Sequence, residues 1–310
     1  MFKWLIAIVA ITFVSWRIYD YSANNTLIEF NWSDQAGFLI GLSFFLGFVN
    51  WSTEAIKWKL LLKGIVMLKF IQAFKQVMQG VTTAILTPNR IGSFIGRVGD
   101  LEKKDRSKGI LLTLLAGFAQ FSVTVGFGIV GWIIIYKNEE LPFQNLILTC
   151  SILLIIMGIL IFFKPALVLR KPFLSLLKDK TIESIEFVEA TPNRLRLIII
   201  GLSIIRFLVF SLQYMLILMA FNTSNTALLI WFYVIAVYGL MTVLPGLLFG
   251  KLFVREAAAL IVFPMLGFAD NAIILAGIIL WFINIGLPAL VGAILLAGNK
   301  KWFNQKPTQL

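Results

Sequence analysis

Apolar residues are gathered into long runs separated by short clusters of charge. Runs approaching the roughly 20 residues needed to cross a bilayer at 1.5 Å per residue are Trp4–Trp16 (short), Ala36–Ala55, Gly109–Tyr136, Phe143–Phe163, Leu197–Phe221 and Ala272–Ala297. Two further apolar segments, 71–101 and 227–266, are each interrupted by a polar stretch. The first stretch, Thr87 to Arg97, holds Pro88, Gly92, Gly96, Arg90 and Arg97. The second, Leu244 to Glu256, holds Pro245, Gly246, Gly250, Lys251 and Arg255. Broken helices at membrane depth are tolerated where protein buries them or where they line a cavity, and in transporters they tend to build the binding site. The pattern predicts an all-α, polytopic membrane helix bundle of about six full spans plus two re-entrant helical hairpins.

Composition fits that class. Mean hydropathy is +0.91, and 59% of the residues are apolar, more than a soluble core of this size can hide. No polar stretch is long enough to fold alone. The chain therefore reads as one transmembrane domain, 1–310. Its parts are a first span at 1–22, a first repeat at 36–136, a connecting span and amphipathic segment at 143–194, a second repeat at 195–297 and a tail at 298–310. Histidine is absent and Cys150 is the lone cysteine, which excludes imidazole chemistry, an internal disulfide and thiolate metal clusters. No metal or cofactor is expected. The bulky Ser15-Trp16-Arg17 offers no cleavage site, so the N-terminal run reads as an uncleaved span.

A net charge of +12 would suit nucleic acid, but the placement of the charges argues for a membrane. Lys3, the lysines from Lys57 to Lys75, the group from Lys103 to Lys108, the central loop from Lys164 to Arg196 and the tail lysines can all be cytoplasmic. The opposite side would hold only Arg17 and Lys137, beside six acids. By the positive-inside rule both termini are cytoplasmic, in a multi-pass protein of the plasma membrane. The first broken segment is then flanked by cytoplasmic charge on both sides. The second runs from the uncharged Asn222–Thr226 loop to Asp270, so it enters and leaves from outside. That is an inverted-topology repeat. The alternative is two ordinary spans per broken segment; against it, only about ten apolar-rich positions follow Pro88, too few to cross.

The stretch Pro165–Arg194 alternates Leu167, Leu169, Phe173, Leu176 and Leu177 with Arg170, Lys171, Lys178 and Lys180, which suits an interfacial segment on an anionic leaflet. Thr191-Pro192-Asn193-Arg194 repeats the tetrapeptide Thr87–Arg90. Threonine as N-cap and proline at the first helical position would explain both copies.

Pro88 and Pro245 each stop one helix and can start another, whose free N–H groups suit an anion. Gly92, Gly96, Gly246 and Gly250 let a backbone or a ligand approach closely. Arg90, Arg97, Lys251 and Arg255 add full charges. An arginine at the bilayer centre costs about 2.5–3.5 kcal/mol on insertion scales, so these cations need a reason. The planar fork of arginine matches phosphate oxygens, which makes a lipid phosphate head group the candidate partner. The competing explanation is a buried clamp, with Glu256 pairing Arg255 or Arg97, or Asp100 pairing Arg97. Glu54, Gln79, Gln120, Arg206, Gln213 and Asn284 are polar within apolar runs, and for them helix–helix hydrogen bonding outweighs substrate contact. Asn284, four residues before Pro288, is also placed to bond carbonyls that the proline frees.

Pro88-x-Arg90-x-Gly92 with Arg97, and Leu244-Pro245-Gly246 with Val254-Arg255-Glu256-Ala257-Ala258, resemble motifs of the flippase-like family named after the transmembrane region of lysylphosphatidylglycerol synthetase. Leu280-Trp281-Phe282-Ile283-Asn284 with Pro288 and Gly292 fits the last span of that family, and the resemblance covers roughly 36–297. It implies an integral membrane protein with inverted repeats that translocates anionic or aminoacylated phospholipids or isoprenoid phosphates. Ser93 stands where the family often carries Glu, and 310 residues leave no room for a soluble aminoacyl-transfer domain. Synthesis of lysylphosphatidylglycerol is therefore not expected.

The expectation is a lipid translocator with a head group held between the two hairpins near the midplane by Pro88, Arg90, Gly92, Arg97, Pro245, Gly246, Gly250, Lys251, Arg255, Glu256 and Asn284. The partners are then a phosphate-bearing lipid and the bilayer, with no nucleic acid. The alternative is a membrane enzyme or an accessory subunit in lipid or cell-envelope polymer synthesis. An enzyme is the weaker reading: the acids are scattered, with no Asp-x-x-Asp or Asp-x-Asp pair. No Gly-x-x-x-x-Gly-Lys-Ser/Thr loop is present to bind nucleotide.

Overall fold

Leucine, isoleucine, phenylalanine and valine predominate in the five helices that, among the described residues, are long and apolar enough to cross a membrane. In hydrocarbon a helix is the one open-chain arrangement that satisfies every backbone N–H and C=O from within. The chain is an all-α, polytopic membrane protein. The computed structural model describes residues 12, 16, 19, 32–85, 87, 91–138, 144–165, 179–221, 225–244 and 248–298. Most of the expected first span, the tail beyond Gly298 and most of the expected amphipathic segment therefore lie outside the described residues.

In chain order the helices are α1 (Ala36–Leu61), α2 (Phe70–Ile85), α3 (Gly92–Val98), α4 (Arg106–Asn138), α5 (Gln144–Phe163), α6 (Asp179–Glu189), α7 (Asn193–Met219), α8 (Ala227–Val243), α9 (Leu248–Val262), α10 (Asp270–Trp281) and α11 (Leu287–Ala297). The five long apolar helices are α1, α4, α5, α7 and the α10–α11 pair, which reads as one run, Asp270–Ala297. A π-turn, Phe282–Gly286, joins α10 to α11 directly before Pro288. Proline has no N–H for the ladder, and the wider turn absorbs the lost bond. Asn284 sits in this turn.

Two compact units divide the chain. The first comprises 1–50, 119–159 and 203–282; the second comprises 51–118, 160–202 and 283–310. Each long helix contributes residues to both units, whereas each broken segment belongs wholly to one.

In the first unit, polar side chains in apolar helices pair across helices. Gln213 donates from Nε2 to the Ser43 carbonyl at 2.9 Å, joining α7 to α1. Arg206 Nε donates to Asn50 Oδ1 at 2.9 Å, and Gln120 Nε2 to the Ser203 carbonyl at 3.2 Å. Here Gln120, Arg206 and Gln213 act as the interhelical bonders expected of them. Close backbone approach of α4 to α8 at Gly128 and Gly239 leaves no space for a Cβ on either. Gly267, at φ +78°, closes the turn from α9 toward α10.

In the second unit the anchor is Arg196, 1% exposed. It donates to the carbonyls of Thr191 (3.1 Å), Val188 (3.0 Å), Glu189 (3.1 Å) and Phe162. Phe162, Val188 and Glu189 lie in the last turns of α5 and α6, where carbonyls run out of helical partners, Thr191 follows in the connection to α7, and a cation suits a helix C-terminus. Arg196 was expected in the cytoplasmic loop; instead it is buried. The helix that follows Thr191-Pro192 begins at Asn193, with the Pro192 carbonyl accepting from Arg196 N at 3.1 Å. Proline thus precedes the first helical residue instead of occupying it.

Candidate functional site

The first broken segment folds as α2, a short connection and α3. At seven residues, α3 is about 10 Å long, well short of a crossing. Small residues let it lie tight against α2. A Cβ on Gly96 would come within 2.6 Å of the Gln79 carbonyl. One on Gly80 would meet Arg97 Cγ at 2.8 Å, and one on Gly92 would collide with the Thr83 carbonyl. Thr83 Oγ1 donates to the Gly92 carbonyl at 2.6 Å. Thr87 Oγ1 accepts from Gly92 N at 2.7 Å, satisfying an otherwise orphaned donor at the start of α3. Gly92 and Gly96 therefore serve backbone approach. The α2 helix also packs on α11, where Thr82 Oγ1 donates to the Ala289 carbonyl at 2.8 Å.

This packing delivers Arg97 to α1. Its Nη1 pairs with Glu54 Oε1 at 2.8 Å, the two side chains being 11% and 6% exposed. Lys57 Nζ lies 3.4 Å from Glu54 Oε2 and is 1% exposed. The Arg97 guanidinium also stands 6.0 Å from the ring of Trp58, in cation–π range, and Trp58 Nε1 donates to Gln76 Oε1 at 2.7 Å. Arg97 Nε and Gln79 Oε1 are buried without a hydrogen-bond partner among the described residues. Two cations thus share one carboxylate. Glu54 lies seven residues before the end of α1, about 10 Å along the helix.

Two sequence expectations are corrected here. Lys57 was counted among the cytoplasmic loop cations, but α1 runs on to Leu61 and buries it. Arg97 pairs with Glu54, a residue for which bonding to a neighbouring helix outweighed substrate contact and whose pairing with Arg97 was not weighed. An intramembrane carboxylate three residues from a lysine was the signal available in the sequence.

The second broken segment forms α8 and α9, 17 and 15 residues long, about 26 and 23 Å. Arg255 donates from Nε to Glu256 Oε1 at 2.9 Å, and its Nη2 reaches the same oxygen. That Nη2 also donates to the Gly277 carbonyl at 2.8 Å, tying α9 to α10. The Glu256 carboxylate occupies the space a side chain on residue 277 would take. The ring of Tyr214, on α7, lies 5.9 Å from the guanidinium. Both charged residues are 7% exposed. One cation meets one carboxylate, the clamp weighed from sequence.

Arg97 belongs to the second unit, and Arg255 with Glu256 to the first. Pro88, Arg90, Pro245 and Gly246 lie outside the described residues, and Gly250 and Lys251 are described only as backbone of α9. Among the described residues no three His, Cys, Asp or Glu side chains gather as metal ligands would. No family model matches this chain, and neither a curated protein nor a solved structure is found to be similar to it.

Proposed function

We propose that the protein is a flippase-like lipid translocator whose first hairpin binds the phosphate of an anionic or aminoacylated phospholipid, or of an isoprenoid phosphate. One observation carries the reading: beside Glu54 and Lys57, Arg97 keeps a buried Nε–H with no hydrogen-bond partner among the described residues. A buried donor left without an acceptor is costly, and a phosphate oxygen is an acceptor suited to a guanidinium. The unpartnered Arg97 Nε–H offers a donor of the right kind for it.

The proposed topology is an inverted repeat with both termini cytoplasmic, in the plasma membrane. In support, each broken segment keeps to one unit while every long helix is shared by both. The brevity of α3 also favours re-entry for the first segment. Membrane immersion is supported by the many large apolar side chains that face outward, among them Phe38, Phe45, Leu153 and Ile294.

The test is transbilayer exchange of a fluorescent phosphatidylglycerol in proteoliposomes. Wild type should accelerate exchange, and Arg97→Ala should reduce it by about 10- to 100-fold, the worth of one hydrogen bond to a charged group. Equal rates in wild type and variant would remove the reading.

A further inference from the structure

Between α4, α5 and α6 lies a cavity of about 50 Å³, built wholly within the second unit. Leu111, Leu115 and Phe118 line it from α4, Ile161 from α5, and Ile185 and Val188 from α6. Every lining residue among those described is apolar. The amphipathic pattern of α6 shapes one wall. Ser184, Ile185 and Val188 are buried, whereas Glu183, Glu186 and Glu189 stay at the surface. Two ties hold this helix in place. Arg196 donates to the Val188 and Glu189 carbonyls, and Lys108 Nζ pairs with Glu183 Oε1 at 2.8 Å.

The cavity opens on the α4 side. Ile161, Ile185 and Val188 are buried, while Leu114, also in the lining, is 39% exposed among the outward apolar side chains. Leu114 stands eight residues into α4, about 12 Å along the helix from Arg106. That helix is long and apolar enough to cross a membrane, so the medium at the mouth is hydrocarbon. Water needs two to four polar partners to settle in a cavity, and this lining offers no polar side chain. The space takes about three to five water-sized groups, the bulk of a short run of methylenes. A chain packed there gains dispersion contacts that an open void forfeits.

Cations stand beside the lining. Lys108 lies three residues before Leu111 and seven before Leu115, on the same face of α4 and nearer the helix start. Lys164 directly precedes Pro165, another lining residue. Lys108 is taken by Glu183, whereas Lys164 is exposed and makes no ion pair among the described residues.

From this we infer that the cavity is a lipid seat: it takes one acyl chain of a bilayer phospholipid whose phosphate pairs with Lys164. None of its residues belongs to the Arg97 cluster, so the seat stands independently of lipid translocation. The seated chain fills the space between α4, α5 and α6 and steadies α6.

Photolabelling tests the seat. The full-length protein in nanodiscs receives a trace of phosphatidylcholine with a diazirine midway along one acyl chain, and adducts are mapped by mass spectrometry. Label is expected on Ile185 and Val188, which are 4% and 3% exposed and which a chain reaches only through the cavity. Leu153, outward-facing on α5, serves as the reference for ordinary lipid contact. Ile185→Phe fills the cavity and should abolish labelling at Val188 while Leu153 still labels. If that variant fails to fold, Leu111→Phe narrows the mouth from a half-buried position and should act alike. A diacylglycerol carrying the same diazirine but no phosphate should label Val188 about two- to fivefold less, the worth of a surface ion pair. Lys164→Gln should erase that preference.

Absence of label at Ile185 and Val188 overturns the inference, since the cavity is then closed to lipid or filled by protein. Labelling of Val188 unchanged in the filled variants, or equal labelling by the two lipids in wild type, overturns it as well.

Discussion

Two buried charge clusters, one in each unit, use the same residue types to different ends. At Arg255 one guanidinium and one carboxylate sit side by side on α9 and close on each other, so the pocket is neutral as it stands. At Arg97 the carboxylate arrives from a different helix, α1, and brings Lys57 with it, so two cations share that carboxylate and Arg97 Nε has no hydrogen-bond partner among the described residues. A guanidinium closed on its neighbour has its donors taken, whereas a buried donor left open is stabilised by an acceptor from outside. The lesson is that an intramembrane arginine says little by itself. What matters is how many carboxylates the fold delivers to it.

The sharpest way to break the comparison is to remove the carboxylates. Glu54→Gln leaves two buried cations together and should cost about 3–5 kcal/mol. Part of that loss should return in nanodiscs of phosphatidylglycerol relative to phosphatidylcholine, measured by thermal unfolding. No difference between the two lipids would mean that the cluster does not accept an anion. Arg255→Ala strands Glu256 and should also destabilise by about 3–5 kcal/mol, here with little dependence on lipid charge.

Arg196→Ala serves as a control outside both clusters. It removes carbonyl bonds at the ends of α5 and α6 and should lower stability by about 3 kcal/mol, equally in both lipids. A smaller effect is expected for Gly80→Ala, whose new methyl meets Arg97 Cγ. It should cost about 1–3 kcal/mol and slow lipid exchange by displacing the guanidinium. Smallest is Tyr214→Phe. Removing a buried hydroxyl that lacks a partner among the described residues should change stability by less than about 0.5 kcal/mol.

How much of this was legible beforehand follows from the range of each interaction. The spans between Ala36 and Ala297 were readable because hydrocarbon demands a long apolar run, a one-dimensional property. The α1 boundary was not. The charges at Lys57 and Lys59 looked like a loop, although the helix continues through them to Leu61. Gln120, Arg206 and Gln213 could be named as interhelical bonders from type alone, but not their partners Ser203, Asn50 and Ser43. The pairing of Arg255 with Glu256 was accessible because the two are neighbours in the chain. That of Arg97 with Glu54, 43 positions away, was not.

What the sequence alone determined is the class: a helical membrane protein whose runs are broken at two places by proline, glycine and cations. Only the tertiary structure decided which of those cations are neutralised, which glycines serve packing and which lysine is buried. Hydrophobic run length is local and additive along the chain. Charge balance in a low-dielectric interior depends on side chains from several helices meeting within a few ångströms, and no linear pattern encodes that.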